Sequence, residues 1–323
     1  MIVTEVKMNK NDISKMPGLT ISSPLFFNED ESIDYDTLGR YLDDVCQNKQ
    51  ISAVYSMAYN TRYRMLDDDE VFEVNKFIAE RVDGHEKNVY VGHPYIFTRS
   101  SLEKYLKRMS SLPVSGVSML YPERYYGVDE PIIEFLQLPA KFGLSVVLHE
   151  MKLVSGFNGE LINWPAGLLN RVFSEVELVA VKEDSKDDEI TEQVLGLCNQ
   201  KSIHCVLAGG GKVRAKNFFD LGLTTWLNGS TMFAPQLIDQ VYEAFTSGDE
   251  EFMAWYLEHV EAPFFNRVVS KVGWHLAHKA ALEYFGYGKR YERFPHAVLG
   301  DQEAINANKV FRMIENSISS LDE

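Results

Sequence analysis

The hydrophobic residues of the chain follow two alternating patterns from about residue 18 to residue 246. Short apolar runs rich in β-branched residues predict strands at residues 19–22, 51–56, 88–92, 116–120, 144–148, 178–181, 203–207 and 225–227. Between them lie amphipathic stretches whose apolar residues recur at spacings of three and four, which is typical of helices. The clearest of these stretches cover residues 35–46, 68–82, 101–109 and 190–197.

Predicted strands that alternate with helices, eight in number, indicate an α/β protein with the (β/α)8 TIM barrel fold. A doubly wound open sheet is the competing architecture, but no strand is followed by the Gly-x-Gly-x-x-Gly turn of a dinucleotide crevice. Strand signals end at about residue 234, while helical patterns continue to residue 320. We therefore predict a barrel with its lead-in over residues 1–235 and a C-terminal helical extension over residues 236–323.

The net charge of the chain argues against some classes of binding partner. It has 32 basic and 47 acidic residues, which gives a formal net charge of −15. Such a charge repels phosphate backbones and anionic lipid at long range. We therefore expect no nucleic acid and no membrane as partners. A pocket can still bind an anion, because one lysine and a few backbone amides set its local field.

The cysteines and the first residues predict a soluble cytoplasmic protein. Cys46, Cys198 and Cys205 show no Cys-x-x-Cys spacing, so we expect free thiols. Residues 1–15 lack the apolar segment of a signal peptide, and no run reaches the ~20 apolar residues of a membrane span. His275 and His278 have helical spacing but no third ligand beside them, so we expect no metal site.

Lys182 is the leading candidate for chemistry. It ends an apolar strand directly before a loop, at the rim where barrel enzymes place catalytic groups. Enclosure among apolar side chains lowers the pKa of a lysine, so that a neutral amine can attack a carbonyl. The alternative is a lysine that ends a strand in water, and strand position alone leaves both interpretations open.

The sequence Val-Ala-Val-Lys-Glu at residues 179–183 resembles the Schiff-base strand of the dihydrodipicolinate synthase and N-acetylneuraminate lyase family. Other segments resemble further landmarks of that family, in order and spacing, over roughly residues 18–235. They are Ser-Pro at 23–24 with Ile-Asp-Tyr at 33–35, Ser-Ala-Val-Tyr-Ser at 52–56, Leu-Asp-Asp-Asp-Glu at 66–70, Tyr-Pro at 121–122 with Tyr-Tyr at 125–126, and Leu-Ala-Gly-Gly at 207–210. The resemblance implies the barrel fold and a reversible aldol or related addition.

In such a reaction Lys182 forms an imine with pyruvate or another 2-oxo acid, and the iminium withdraws electrons from the neighbouring bond. The lysine is itself the electron sink, so no cofactor is implied. The resemblance implies a proton-transfer tyrosine, which would be Tyr125, although two residues separate it from Pro122 where the family usually has none or one. Tyr126 and Glu123 are the alternatives for the same role.

The loop after the second strand departs from the family pattern. The family usually carries a Gly-Thr/Ser-Thr-Gly-Glu run that holds the carboxylate of the oxo acid. This chain has Tyr59 and Asn60 in place of the hydroxyl pair and Arg62 in place of the glutamate. Because Asn60 and backbone amides can still donate hydrogen bonds, we predict that these three residues bind substrate. The change favours a sugar-derived or otherwise bulky partner, such as a sugar acid, over a small semialdehyde.

Two further positions complete the predicted site. His149 follows the predicted fifth strand, where the family often has a Tyr-Asn pair that lines the pocket. We predict that it contacts substrate or assists proton transfer; the alternative is a histidine that satisfies a backbone carbonyl. Gly209 and Gly210 resemble the glycine turn after the seventh strand, which implies that they line the substrate site.

The leading hypothesis is therefore a class I aldolase or lyase, and a hydratase or decarboxylase built on the same imine is equally compatible with Lys182. The alternative from another class is a ligand-binding or regulatory barrel without turnover. A binder would gain little from a buried amine, since its burial costs desolvation. The resemblance and the aromatic helical tail also predict a homo-oligomer, a dimer or tetramer; alternatively, these aromatics are buried within one chain. The tail aromatics are Phe264, Phe265, Trp274 and Tyr284.

Overall fold

The computed structural model describes residues 18–56, 65–92, 98–120, 128–150, 156–157, 160–161, 164–208 and 211–321. The strands within these residues are β1 (Leu19–Ser22), β2 (Ile51–Tyr55), β3 (Asn88–Gly92), β4 (Gly116–Leu120), β5 (Val146–Glu150), β6 (Gly156–Phe157), β7 (Glu160–Leu161), β8 (Leu178–Glu183), β9 (His204–Leu207) and β10 (Thr225–Trp226). Eight of them form one sheet in the order β1, β2, β3, β4, β5, β8, β9, β10, and all neighbours in it are parallel.

The sheet closes on itself between its last strand and its first. Thr20 and Leu227 form a parallel bridge. The backbone N–H of Asn228 donates to the carbonyl of Thr20 at 3.0 Å, and the N–H of Gly18 donates to the carbonyl of Thr224 at 3.2 Å. Eight parallel strands closed in this way form a (β/α)8 barrel, so the predicted fold class is confirmed.

One helix follows each barrel strand in the described residues. These helices are α1 (Tyr35–Cys46), α2 (Asp68–Asp83), α3 (Arg99–Met109), α4 (Glu130–Gln137), α5 (Ala166–Glu175), α6 (Asp188–Lys201), α7 (Gly211–Lys216) and α8 (Ile238–Ser247). The starts of α1, α2 and α6 are capped by aspartate side chains. Asp67 accepts from the backbone N–H of Glu70 at 2.8 Å, and the Glu70 carboxylate accepts from the N–H of Asp67 at 3.1 Å. This reciprocal capping box fixes the start of α2.

The C-terminal region is helical, as predicted. It comprises α9 (Glu250–Tyr256), which continues through π-helical turns at Leu257–Glu261 and Phe265–Val269, then α10 (Trp274–Tyr284) and α11 (Asp301–Ser319). The tail aromatics pack within the chain. Phe264 is fully buried, Phe265 stacks on Trp274 with ring centroids 5.7 Å apart, and Tyr284 lies 5.6 Å from Phe311. These rings therefore close the core between α10, α11 and the barrel.

Two strands end later than the sequence pattern predicts. The fifth strand was predicted at residues 144–148 but covers Val146–Glu150, and β8 runs to Glu183 rather than to residue 181. The cause is backbone pairing, because His149 pairs with Lys182 in the β5–β8 ladder. Both residues therefore lie inside strands and do not follow them. The antiparallel pair of β6 and β7 was not predicted.

The exposed large hydrophobic side chains are concentrated near the C-terminus. Among the described residues they are Val128, Leu221, Phe294, Val298, Ile305, Met313 and Leu321, of which the last five lie within residues 294–321. No helix in the described part of the chain combines the length and apolarity that crossing a bilayer requires. The three cysteines are buried free thiols, as predicted.

Candidate active site

Lys182 points into the barrel near the C-terminal end of β8. Side chains alternate along a strand, and its neighbour Val181 packs in the outer core between strands and helices. Lys182 faces the interior, where it is only 5% exposed. Its Cα partners are His149 on β5 and Val206 on β9. The lysine is therefore held inside the barrel and does not end its strand in water.

The Lys182 amine lies against a base and a carboxylate. Lys182 Nζ is 2.7 Å from His149 Nε2. Asp184 Oδ2 lies 3.5 Å from Lys182 Nζ and 3.7 Å from His149 Nε2. His149 is 1% exposed, so water does not separate it from the amine. The three groups supply what a nucleophilic amine requires: a proton acceptor in contact with it and an anion that stabilises positive charge beside it.

Burial and charge act in opposite directions on the lysine. Loss of hydration lowers the pKa of the Lys182 ammonium, and the nearby Asp184 carboxylate offsets part of this effect. Burial also acts to raise the pKa of Asp184, but the positive charge of Lys182 and the nearby His149 outweigh it and lower that pKa to about 2. Asp184 is therefore a carboxylate at neutral pH, while Lys182 loses its proton more readily than a lysine in water.

Two further side chains support His149 from the inside of the barrel. The Tyr55 hydroxyl lies 3.3 Å from His149 Nδ1, the ring nitrogen that faces away from the lysine. The same hydroxyl is hydrogen bonded to Ser118 Oγ. The Tyr55 ring also lies near the amine, with its centroid 5.5 Å from Lys182 Nζ. A line of hydrogen bonds therefore runs from Lys182 through His149 and Tyr55 to Ser118.

Glu183 fixes the turn that carries Asp184. Its side chain is fully buried. It accepts from the backbone N–H of Ser185 at 2.8 Å and from the Thr191 hydroxyl at 2.7 Å, and Arg214 Nη1 lies 3.5 Å away. These contacts face the helices that surround the barrel, opposite to the amine. They hold the backbone on both sides of Asp184, so the position of its carboxylate is set by the end of β8.

The acidic run at residues 183–189 thus has two roles, helix capping and buried hydrogen bonding. Asp187 does cap α6, since it accepts from the N–H groups of Glu189 at 3.1 Å and Ile190 at 3.4 Å. Glu183 and Asp184 belong instead to buried polar networks. Sequence alone does not distinguish a capping carboxylate from one in a buried network, because all of these residues follow one strand and precede one helix.

The structure brings together two of the predicted site residues, Lys182 and His149. The others lie outside the described residues: Tyr59, Asn60, Arg62, Tyr125, Gly209 and Gly210, with the alternatives Tyr126 and Glu123. Asp184 and Tyr55 were missed by the sequence analysis. One signal was available for Tyr55, because it alternates with Ala53 on β2 and both lie in the inner cluster of the barrel. For Asp184 the signal was its place two residues after Lys182.

Comparison with known proteins supports the resemblance read from the sequence. No family model matches the chain. A 4-hydroxy-tetrahydrodipicolinate synthase from Caldicellulosiruptor bescii is 27% identical over 198 residues, which is 54% of this chain. The match spans 64% of that relative, less than two thirds of its length.

Solved structures share the fold over nearly their whole length. The dihydrodipicolinate synthase of Oceanobacillus iheyensis superposes with a TM-score of 0.78 at 17% identity, covering 95% of this chain and 100% of the other. The N-acetylneuraminate lyase of Aliivibrio salmonicida gives a TM-score of 0.77 at 13% identity, covering 92% and 96%. The sequence likeness and the common barrel together support the resemblance of this chain to the dihydrodipicolinate synthase and N-acetylneuraminate lyase family.

Proposed function

We propose that the protein is a Schiff-base-forming lyase of the aldolase type, which acts on pyruvate or another 2-oxo acid through an imine on Lys182. The observation that carries this proposal is the buried Lys182 amine, whose pKa is lowered by burial and which lies 2.7 Å from His149. The names of the similar proteins, a synthase and a lyase, also support it.

The first step requires a neutral amine. His149 Nε2 accepts a proton from the Lys182 ammonium, and the Lys182 nitrogen then attacks the ketone carbon of the substrate. A C–N bond forms as the C=O π bond breaks, and a proton moves from the attacking nitrogen to the carbonyl oxygen to give a carbinolamine. The hydroxyl then leaves as water with a proton that His149 can return, which yields the iminium. Asp184 lies beside the nitrogen that becomes positive and stabilises that charge.

The iminium then acts on the carbon next to the former carbonyl. Loss of a proton from that carbon, or cleavage of its bond to a leaving carbonyl compound, places the electron pair in an enamine. In the reverse direction the enamine attacks an acceptor carbonyl. We propose a sugar-derived or otherwise bulky acceptor, because Tyr59, Asn60 and Arg62 depart from the residues that the family usually carries after the second strand. A hydro-lyase or decarboxylase would begin from the same iminium.

A ligand-binding barrel without turnover is the alternative. Two departures from the family pattern motivate this alternative, the altered loop at residues 59–62 and the displaced Tyr125. Both lie outside the described residues. The described part of the site favours an enzyme, because a binder has no use for an amine in contact with a base. Burying Lys182, His149 and Asp184 together costs desolvation, and a nucleophilic role explains that cost.

Hydrogen exchange of the substrate tests the proposal. The protein is incubated with pyruvate in deuterated buffer, and the methyl signal of pyruvate is followed by proton NMR. Enamine formation on Lys182 exchanges the methyl protons for deuterium, so we expect protein-dependent loss of the signal. Larger 2-oxo acids are tested in the same way at their C3 protons.

Two variants make the exchange experiment decisive. Lys182→Ala should abolish exchange, while Lys186→Ala, at a half-exposed lysine on the same rim, should retain it. Thermal melting and circular dichroism establish that both variants are folded. Exchange at the parental rate in Lys182→Ala would disprove the imine mechanism. Absence of exchange with every oxo acid in the folded parent would favour the ligand-binding barrel.

A further inference from the structure

We infer that Tyr55 is a positioning residue for His149: its hydroxyl oxygen accepts the Nδ1 proton and so holds the tautomer whose Nε2 lone pair faces Lys182. The catalytic consequence rests on the proposed function, but the tautomer itself does not. Tyr55 lies on β2, across the barrel interior from β5 and β8, and the sequence analysis assigned it no role in the site. It is 2% exposed.

Tyr55 contacts the His149 imidazole at the ring nitrogen that Lys182 does not contact. Its hydroxyl is 3.3 Å from His149 Nδ1. The two rings meet edge to face, with centroids 6.1 Å apart and an interplanar angle of 85°. The hydroxyl thus contacts Nδ1, while Lys182 contacts the other ring nitrogen, Nε2. His149 is therefore held at both nitrogens, at Nε2 by Lys182 and at Nδ1 by Tyr55.

Hydrogen-bond chemistry then selects one tautomer. While Lys182 carries its proton, its ammonium has only donors. His149 Nε2 must then accept, so the ring proton lies on Nδ1 and points at the Tyr55 oxygen. Tyr55 in turn donates its own proton to Ser118 Oγ, with which it is hydrogen bonded. Each hydrogen bond along the line from Lys182 through His149 and Tyr55 to Ser118 therefore has one donor and one acceptor.

This tautomer is the one that the first chemical step needs. When Lys182 gives up its proton, one N–H bond of the ammonium breaks and an N–H bond forms at His149 Nε2. The imidazolium that results still donates its Nδ1 proton to the Tyr55 oxygen. Asp184 lies 3.7 Å from Nε2 and balances the positive charge. In the opposite tautomer Nε2 would carry a proton and could not accept another from the ammonium.

The barrel contains a matched control for this arrangement. Tyr90, the Cα partner of Tyr55 on β3, has its hydroxyl 3.1 Å from Nδ1 of His204 on β9. Both side chains are buried in the barrel. No hydrogen bond joins this pair to Lys182 within the described residues. Tyr90→Phe therefore removes the same hydroxyl–imidazole contact at the same depth of burial without touching the amine.

Nitrogen NMR of histidine tests the inference without any substrate. Protein labelled with ¹⁵N in its eight histidines is recorded near neutral pH with two- and three-bond proton–nitrogen correlations, which distinguish the two neutral tautomers. The His149→Gln spectrum identifies the His149 signals. We expect the Nδ1–H tautomer in the parent, a shift toward the Nε2–H tautomer in Tyr55→Phe, and no change at His149 in Tyr90→Phe. Ser118→Ala, which leaves the Tyr55 ring in place, should shift the ratio in the same direction.

Activity separates this inference from the proposed function. If Lys182 forms an imine, Tyr55→Phe should slow substrate hydrogen exchange about tenfold, the order of one neutral hydrogen bond. An unchanged tautomer ratio in both folded Tyr55→Phe and Ser118→Ala, or an Nε2–H tautomer in the parent, would overturn the positioning role. If the tautomer shifts as expected but no oxo acid exchanges in the parent, the positioning role stands and the proposed lyase activity fails.

Discussion

His149 Nε2 lies 2.7 Å from Lys182 Nζ because the two residues are Cα partners on adjacent parallel strands. Parallel pairing holds them at the same height, and the alternation of side chains along each strand turns both into the barrel. The contact therefore depends on backbone register, which one closed sheet fixes, and does not depend on the conformation of a rim loop. The fold itself therefore holds the Lys182 amine in contact with the His149 base.

The role of His149 as a base predicts a large kinetic effect from a conservative change. His149→Gln keeps a polar side chain near the amine but removes the group that accepts its proton. Substrate hydrogen exchange should slow by about 10²–10⁴-fold, the usual contribution of general acid–base catalysis. His204→Gln, at another buried histidine of the barrel interior, should stay near the parental rate. Equal rates in the two folded variants would show that His149 is not the base.

The carboxylate of Asp184 predicts a shift in pH dependence with a definite sign. Asp184 raises the pKa of Lys182, in opposition to burial. Asp184→Asn should therefore lower that pKa further, so the neutral amine appears at lower pH. The rate of imine formation, trapped by borohydride across a pH series, should then rise at a lower pH than in the parent. Asp188→Asn, at an exposed carboxylate of the same acidic run, should leave the profile in place, and a shift to higher pH in Asp184→Asn would contradict the assignment.

The barrel was predictable from the sequence because its strands are apolar runs bounded by turns and helices. The eight strands were located within two residues, including the two-residue strand Thr225–Trp226. The end of β5 was placed two residues too early, because residues 149 and 150 are a histidine and a glutamate, and a polar pair at the end of an apolar run is typical of a loop. Only pairing with β8 shows that the strand continues.

The buried Glu183 network predicts a stability effect at a residue remote from the amine. Thr191→Val removes a hydroxyl that donates to the Glu183 carboxylate at 2.7 Å and changes little else in shape. A hydrogen bond to a buried charged group contributes about 1.5–3 kcal/mol, so urea unfolding should show a loss of this size. Thr246→Val, on an exposed face of α8 where the hydroxyl bonds the carbonyl of Tyr242, should cost far less. Similar losses in both variants would contradict the importance of the Glu183 network.

The predicted homo-oligomer now has a candidate surface. The tail aromatics pack within one chain, but Phe294 is 84% exposed and Ile305 and Met313 on α11 are about half exposed. We expect light scattering at micromolar concentration to give a multiple of the single-chain mass, and Ile305→Glu with Met313→Glu to reduce it. Leu221→Glu, at an exposed leucine elsewhere, is the control. A parent that scatters as a single chain would refute assembly.

Only some residues of the active site could be predicted, because the sequence marks some of them more clearly than others. Lys182 stands out in an apolar strand, and its sequence neighbourhood resembles a known family. The signals for Asp184 and Tyr55 are weak, since an acidic residue before a helix and a tyrosine in a strand are ordinary. Their roles arise from contacts between strands far apart in the chain: Tyr55 and His149 are separated by 94 positions. Such contacts follow from strand order and register, which the hydrophobic pattern does not encode.

Borohydride trapping tests the imine on Lys182 most directly. The protein is incubated with pyruvate, and in parallel with larger 2-oxo acids, then reduced and digested for peptide mass spectrometry. We predict the mass of a reduced adduct on the peptide that carries Lys182, and its absence in Lys182→Ala. A folded parent that shows no adduct with any oxo acid, or an adduct only on exposed lysines such as Lys186, would contradict the imine mechanism.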